Sequence, residues 1–118
     1  MSKVMLIEDD PTMLSLLNTL LEIEGYEVAL LEGFNNIVED IHTQNPDIIL
    51  MDVNLKEVNG IEILEQIRKD NKIKDVKIIM SSGMDYGHES LSKGANEFLL
   101  KPYMPDELIE KVKRILSS

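Results

Sequence analysis

Four places in this chain carry side chains that could do chemistry together, and each lies at the end of a short apolar run. Glu8 and Asp9 follow the run 4–7, Asp52 ends 47–52, Ser81 and Ser82 follow 78–80, and Lys101 follows 98–100. Carboxylates are hard oxygen donors, the kind that Mg²⁺ and Ca²⁺ select. Mg²⁺ typically takes one or two of them together with waters and a phosphate oxygen. Three carboxylates in one pocket repel, and each resists ionisation unless a cation intervenes. Lys101 supplies one fixed positive charge and a Ser hydroxyl supplies a donor. Acids, a divalent ion, a hydroxyl and a lysine together describe a site for a phosphoryl group.

That inference needs the four runs to share an edge, so the elements that position them come next. The run from Ile48 to Met51 is continuous, apolar and bounded by Pro46, which fits a strand buried on both faces of a parallel sheet. Asp10-Pro11 reads as a helix start, with Asp at the cap and Pro in the first turn. Met13, Leu16, Leu17 and Leu20 then follow at helical spacing until Gly25. A more polar strand is predicted over 26–31, near an edge, and a weaker helix over 35–44. Further helices are predicted with Ile61, Leu64 and Ile67, over 84–94 with Leu91 as almost its only core residue, and from Pro105 to about Leu116. Five strands alternating with five helices predict an α/β, doubly wound, flavodoxin-like parallel sheet. With strand order 2-1-3-4-5, the topological switch point brings Glu8, Asp9 and Asp52 together.

Composition narrows the function classes. The 118 residues predict one domain over 1–118, large enough for its own core. No apolar run nears the roughly 20 residues that cross a bilayer, and no signal-peptide pattern opens the chain, so the expectation is cytoplasmic, without membrane insertion. With no Cys, disulfides and thiolate metal sites are excluded. A net charge of −10 argues against direct contact with nucleic acid.

Each residue also has a plainer reading. Asp10 is taken as a helix cap. A surface lysine and turn serines are the ordinary readings of Lys101, Ser81 and Ser82 alone; the four-strand coincidence is what overrides them. The seven Met residues are read as core filling. His42 and His88 are expected to be exposed without ligand roles, and the charges from Glu107 to Arg114 form a solvated helix face.

The order and spacing of these motifs resemble a response-regulator receiver domain of two-component signalling, of the chemotaxis-regulator type. The resemblance rests on Leu6-Ile7-Glu8-Asp9-Asp10, on 46–52 ending in Asp52, on Gly60 eight residues later, and on Ser82-Gly83, Gly94-Ala95 and Lys101-Pro102. It implies that Asp52 is a phosphoacceptor. Glu8, Asp9, Asp52 and the backbone carbonyl of Asn54 would hold Mg²⁺. Ser82 would be the switch hydroxyl, with Ser81 the alternative, and Phe98 the aromatic switch residue. Lys101 would contact the phosphoryl group, ahead of a cis bond to Pro102. The partners implied are a sensor histidine kinase or a histidine phosphotransfer protein as donor, and a downstream protein target.

The chain departs from the family in three places. Lys56 stands where the family usually has Pro, the segment from Ser82 to Lys101 is a few residues short, and Asn54 and Met84 occupy positions that tune phosphoryl lifetime. A phosphorylation-independent interaction module and an aspartyl-phosphate phosphatase are the competing readings. The phosphatase class usually has a second Asp where this chain has Asn54.

Overall fold

Alternate residues of each strand feed two separate cores, one on either face of a single parallel sheet. A computed structural model of the chain describes residues 1–31 and 33–117; Glu32 and Ser118 lie outside the described residues. The sheet consists of β1 (Lys3–Ile7), β2 (Glu27–Leu30), β3 (Ile48–Asp52), β4 (Lys77–Ser82) and β5 (Glu97–Leu100). Its helices are α1 (Pro11–Ile23), α2 (Ile37–Gln44), α3 (Gly60–Arg68), α4 (Gly87–Ser92) and α5 (Pro105–Leu116). The strand order is β2-β1-β3-β4-β5 and every pairing is parallel, as expected from the sequence.

Met5, Ile7, Ile49, Met51, Ile78 and Met80 pack with Ile37, Ile41, Ile61, Leu64 and Ile67, under α2 and α3. Val4, Leu6, Ile48, Leu50, Ile79 and Leu99 pack with Leu17, Leu21, Leu108 and Val112, under α1 and α5. Both faces of β3 are therefore covered, and all five of its residues, Asp52 included, are buried. Each fully buried Leu or Ile contributes about 2 kcal/mol of apolar burial. That leaves a carboxylate fixed at the end of a rigid element. Asp10 caps α1 as predicted, accepting from the Thr12 amide at 2.9 Å.

Several expectations are corrected. The second helix begins at Ile37 rather than at residue 35. The helix predicted over 84–94 is only Gly87–Ser92; Leu91 is 51 % exposed and Ser90 is the buried residue instead. With six residues, α4 forms too few turns to bury more than one position. Leu16 is exposed, as are Met1, Met84 and Met104, so only Met5, Met51 and Met80 fill the core completely. His42 is half-buried and its Nε2 lies 2.7 Å from Asp70 Oδ2. The α5 charges are not simply solvated: Lys111 and Arg114 pair with Glu97, and Lys113 with Glu24. Ser81 and Ser82 lie inside β4 rather than after it.

One element was not foreseen. A two-stranded antiparallel hairpin, Asn54–Leu55 against Val58–Asn59, links β3 to α3. Glu57 takes φ of 64° at its turn, and Asn59 caps α3 by accepting from the Ile61 amide at 2.8 Å. A positive φ at the third turn position is what a type II turn requires, and such turns favour Pro at the second position. Here that position is Lys56. Among the described residues, no helix is long and apolar enough to cross a membrane.

Candidate phosphoryl and metal site

The carboxyl ends of β1, β3, β4 and β5 meet at the switch point, as the predicted strand order requires. Glu8, Asp9 and Asp52 each offer a carboxylate oxygen there, all within 4.8 Å of one another. Glu8 is 6 % exposed and Asp52 is 7 % exposed, so water can do little to screen them. Lys101 Nζ reaches into the cluster, 2.6 Å from Glu8 Oε1 and 3.0 Å from Asp52 Oδ2. The second Glu8 oxygen accepts from the amides of Asp9 at 3.0 Å and Asp10 at 3.3 Å. Asp52 Oδ1 accepts from the Asn54 amide at 3.1 Å.

Burial pushes the Glu8 carboxyl above its usual range. The neighbouring Asp52 charge adds to this, while Lys101 and the Asp10 amide oppose it. Burial alone would lower the Lys101 ammonium. Its hydrogen bonds and charge contacts with Glu8 and Asp52 outweigh that and hold it raised, so the lysine stays charged. With all three acids ionised, three negative charges and one positive leave a net −2 (−3 + 1), the charge that one divalent cation neutralises. The donor set is all hard oxygen and fits Mg²⁺.

The sheet also sorts the two serines. Ser82 follows Ile78 and Met80 on the face of α2 and α3, whereas Ser81 follows Ile79 on the face of α1 and α5. Phe98 pairs with Met80 in register and packs against the same core as Met80. Ser82 and Phe98 thus share one face, on adjacent strands. The Phe98 ring lies under the start of α4, where a Cβ added at Gly87 would sit 3.4 Å from its Cδ2. Ser82 is completely buried, and its carbonyl accepts from the Lys101 amide at 2.8 Å. The Lys101-Pro102 bond is cis.

Two features of this site were not anticipated from the sequence. The Asn54 side chain, at a position expected to tune phosphoryl lifetime, accepts from Ser82 Oγ at 2.9 Å, a contact that was not foreseen. Tyr103, two residues past Lys101, buries its phenol close enough to feel the charges of Lys101, Glu8 and Asp52. Position beside Lys101 was the only hint of the second; nothing in the sequence indicated the first.

Comparison with known proteins agrees with this geometry. Residues 4–113 match the family described as the response regulator receiver domain. The chain is 39 % identical over 119 residues to the transcriptional regulatory protein CpxR homolog of Haemophilus influenzae, covering 98 % of this chain and 51 % of that protein. It spans about half the length of the curated relatives it matches. Among solved structures it resembles the receiver domain of the Francisella response regulator 1452, with a TM-score of 0.90 and 27 % identity over 99 % of this chain and 98 % of that one. It also resembles the receiver domain of sensor histidine kinase PA1611 from Pseudomonas aeruginosa PAO1, described with magnesium coordinated in its active-site cleft. That match has a TM-score of 0.87 and 28 % identity over 99 % of this chain and 98 % of that one. A signalling fold, rather than that of a conventional enzyme, thus surrounds these acids, and the chain belongs to the response-regulator receiver domain family.

Proposed function

We propose that Asp52 is the phosphoacceptor of a two-component phosphorelay, and that its phosphorylation switches a protein-interaction face. The observation that carries this reading is the contact of Lys101 Nζ with Asp52 Oδ2 at 3.0 Å, inside a cluster of three acids. One Asp52 oxygen attacks the phosphorus of a phosphohistidine on a sensor histidine kinase or phosphotransfer protein. A P–O bond forms, the P–N bond breaks, and the imidazole leaves with the electron pair. Lys101 offsets the negative charge that gathers on the phosphoryl oxygens. Glu8, Asp9, Asp52 and the Asn54 carbonyl hold Mg²⁺, which supplies charge neutralisation when bound. β3, buried on both faces, holds the nucleophile in place.

The acyl phosphate adds about 1.5 to 2 negative charges and three strong acceptors beside Ser82. Ser82 donates to one of those oxygens, its loop moves toward Asp52, and Phe98 rotates into the space released on the same face. That is a local charge change biasing a two-state element. The reader of that face is a downstream protein target. The acidic domain itself makes no direct contact with nucleic acid and works in the cytoplasm.

Mass spectrometry after incubation with acetyl phosphate and Mg²⁺ tests the reading. Wild type gains one phosphoryl group and Asp52→Asn gains none. A wild type that takes up nothing, or a variant that takes up as much as wild type, rejects Asp52 as the acceptor.

A further inference from the structure

Ser82 has one hydroxyl proton, and it is committed. The hydroxyl donates to Asn54 Oδ1 at 2.9 Å and accepts from the Met84 amide at 3.1 Å. Ser82 is completely buried, so no water competes for that proton. The Asn54 backbone is tied back in turn, its N–H donating to Asp52 Oδ1 at 3.1 Å. Asn54 therefore touches both residues, Asp52 through its backbone N–H and Ser82 through its side-chain oxygen. A serine hydroxyl donates to one strong acceptor at a time. Any phosphoryl oxygen on Asp52 that recruits Ser82 must take the proton from Asn54.

We infer that the Asn54 side-chain amide is a latch on Ser82, a positioning residue that holds the switch hydroxyl away from Asp52 until a phosphoryl group outcompetes it. The latch sets how much of the protein switches, which is separate from how fast the phosphoryl group is gained or lost. The inference rests on Asp52 being the phosphoryl site. A neutral intramolecular hydrogen bond contributes about 1 kcal/mol, which corresponds to a roughly fivefold change in an equilibrium. Asn54 is exposed, so its truncation leaves the core intact.

The test is a double-mutant cycle read by binding of beryllofluoride, a phosphoryl mimic, in the presence of Mg²⁺. Asn54→Ala is expected to tighten binding about fivefold when Ser82 is present and to have no such effect in the Ser82→Ala background. Equal effects in the two backgrounds, or weaker binding in the single variant, overturn the latch. The free protein gives a second readout by amide NMR. Releasing Ser82 shifts the Met84 amide resonance in Asn54→Ala, and a resonance that stays where wild type has it overturns the latch as well. If wild type binds no beryllofluoride, the phosphoacceptor reading fails instead, and the Met84 resonance alone decides the latch.

Discussion

Lys101 lies nearer to Glu8 than to Asp52, 2.6 Å against 3.0 Å from the respective carboxylate oxygens. The lysine is therefore the cation that lets two buried acids sit side by side, as well as a contact for the acid at the end of β3. Removing it leaves both carboxylates without a cationic partner in a site where their exposure is 5 % and 8 % for the side chains. Without divalent cation, Lys101→Met is expected to lose about 2 kcal/mol in urea denaturation. That is less than for a fully buried pair, because the lysine side chain is 21 % exposed. Adding Glu8→Gln should recover more than half of the loss, since it removes one of the repelling charges. A Lys101→Met protein as stable as wild type would contradict this account.

Tyr103 offers a prediction on the alkaline side. Burial raises its phenol to about 12, and its hydroxyl is buried without a hydrogen-bond partner among the described residues. A group whose folded value is raised contributes stability below its unfolded value, here 10.0, and loses it as pH rises through about 12. Tyr103→Phe should abolish that share of the alkaline loss. At neutral pH it should also stabilise by about 1 kcal/mol, because an orphaned buried hydroxyl is removed. Urea midpoints at neutral and alkaline pH check both halves.

How much of this could be read in the sequence depends on whether neighbours along the chain or across it decide the outcome. β3 and its acid were legible because five residues in a row, Ile48 to Asp52, carry both the burial pattern and the chemistry. The helix start at Asp10 was legible because cap and first turn are adjacent in sequence. The Ser82–Asn54 bond joins residues 28 apart and depends on a hairpin whose turn carries a Glu at positive φ, a residue no turn rule favours. Leu91 was misread as the core residue, and Ser90 was missed, because a six-residue helix shows too little periodicity to reveal which residue points inward.

On the acid side, the pair between α2 and the segment after α3 should show itself. Asp70 is held below its ordinary 3.8, first by the hydrogen bond from His42 and then by the Lys72 amide. An ionised Asp only accepts, so the His42 ring donates. A depressed carboxyl contributes stability above its unfolded value and loses it as pH falls through the folded one. The gap in stability between wild type and Asp70→Asn should therefore be open above about pH 4 and close below it. Unfolding followed across that range decides the point. A gap of constant size would mean that Asp70 contributes no pH-linked term.

Gly60 ties the hairpin to the acid it positions. Its amide donates to the Val53 carbonyl at 2.7 Å. A Cβ built there would run into the Asp52 carbonyl oxygen and lie 3.0 Å from Val53 Cα. Both obstacles are backbone, so neither can rotate aside. Its φ is not positive, unlike that of Gly25 at 95°, so the collision alone accounts for any cost. Gly60→Ala is expected to destabilise by about 1 to 3 kcal/mol. It should also slow phosphoryl uptake at Asp52, because the backbone that must yield carries the nucleophile. Gly25→Ala is the control: no atom lies within 4 Å of its added Cβ, so it should lose stability through strain at positive φ while leaving uptake unchanged. Urea denaturation and acetyl phosphate uptake, measured on both variants, separate the two effects. Equal loss of uptake in the two would show that general destabilisation, rather than displacement of Asp52, is responsible.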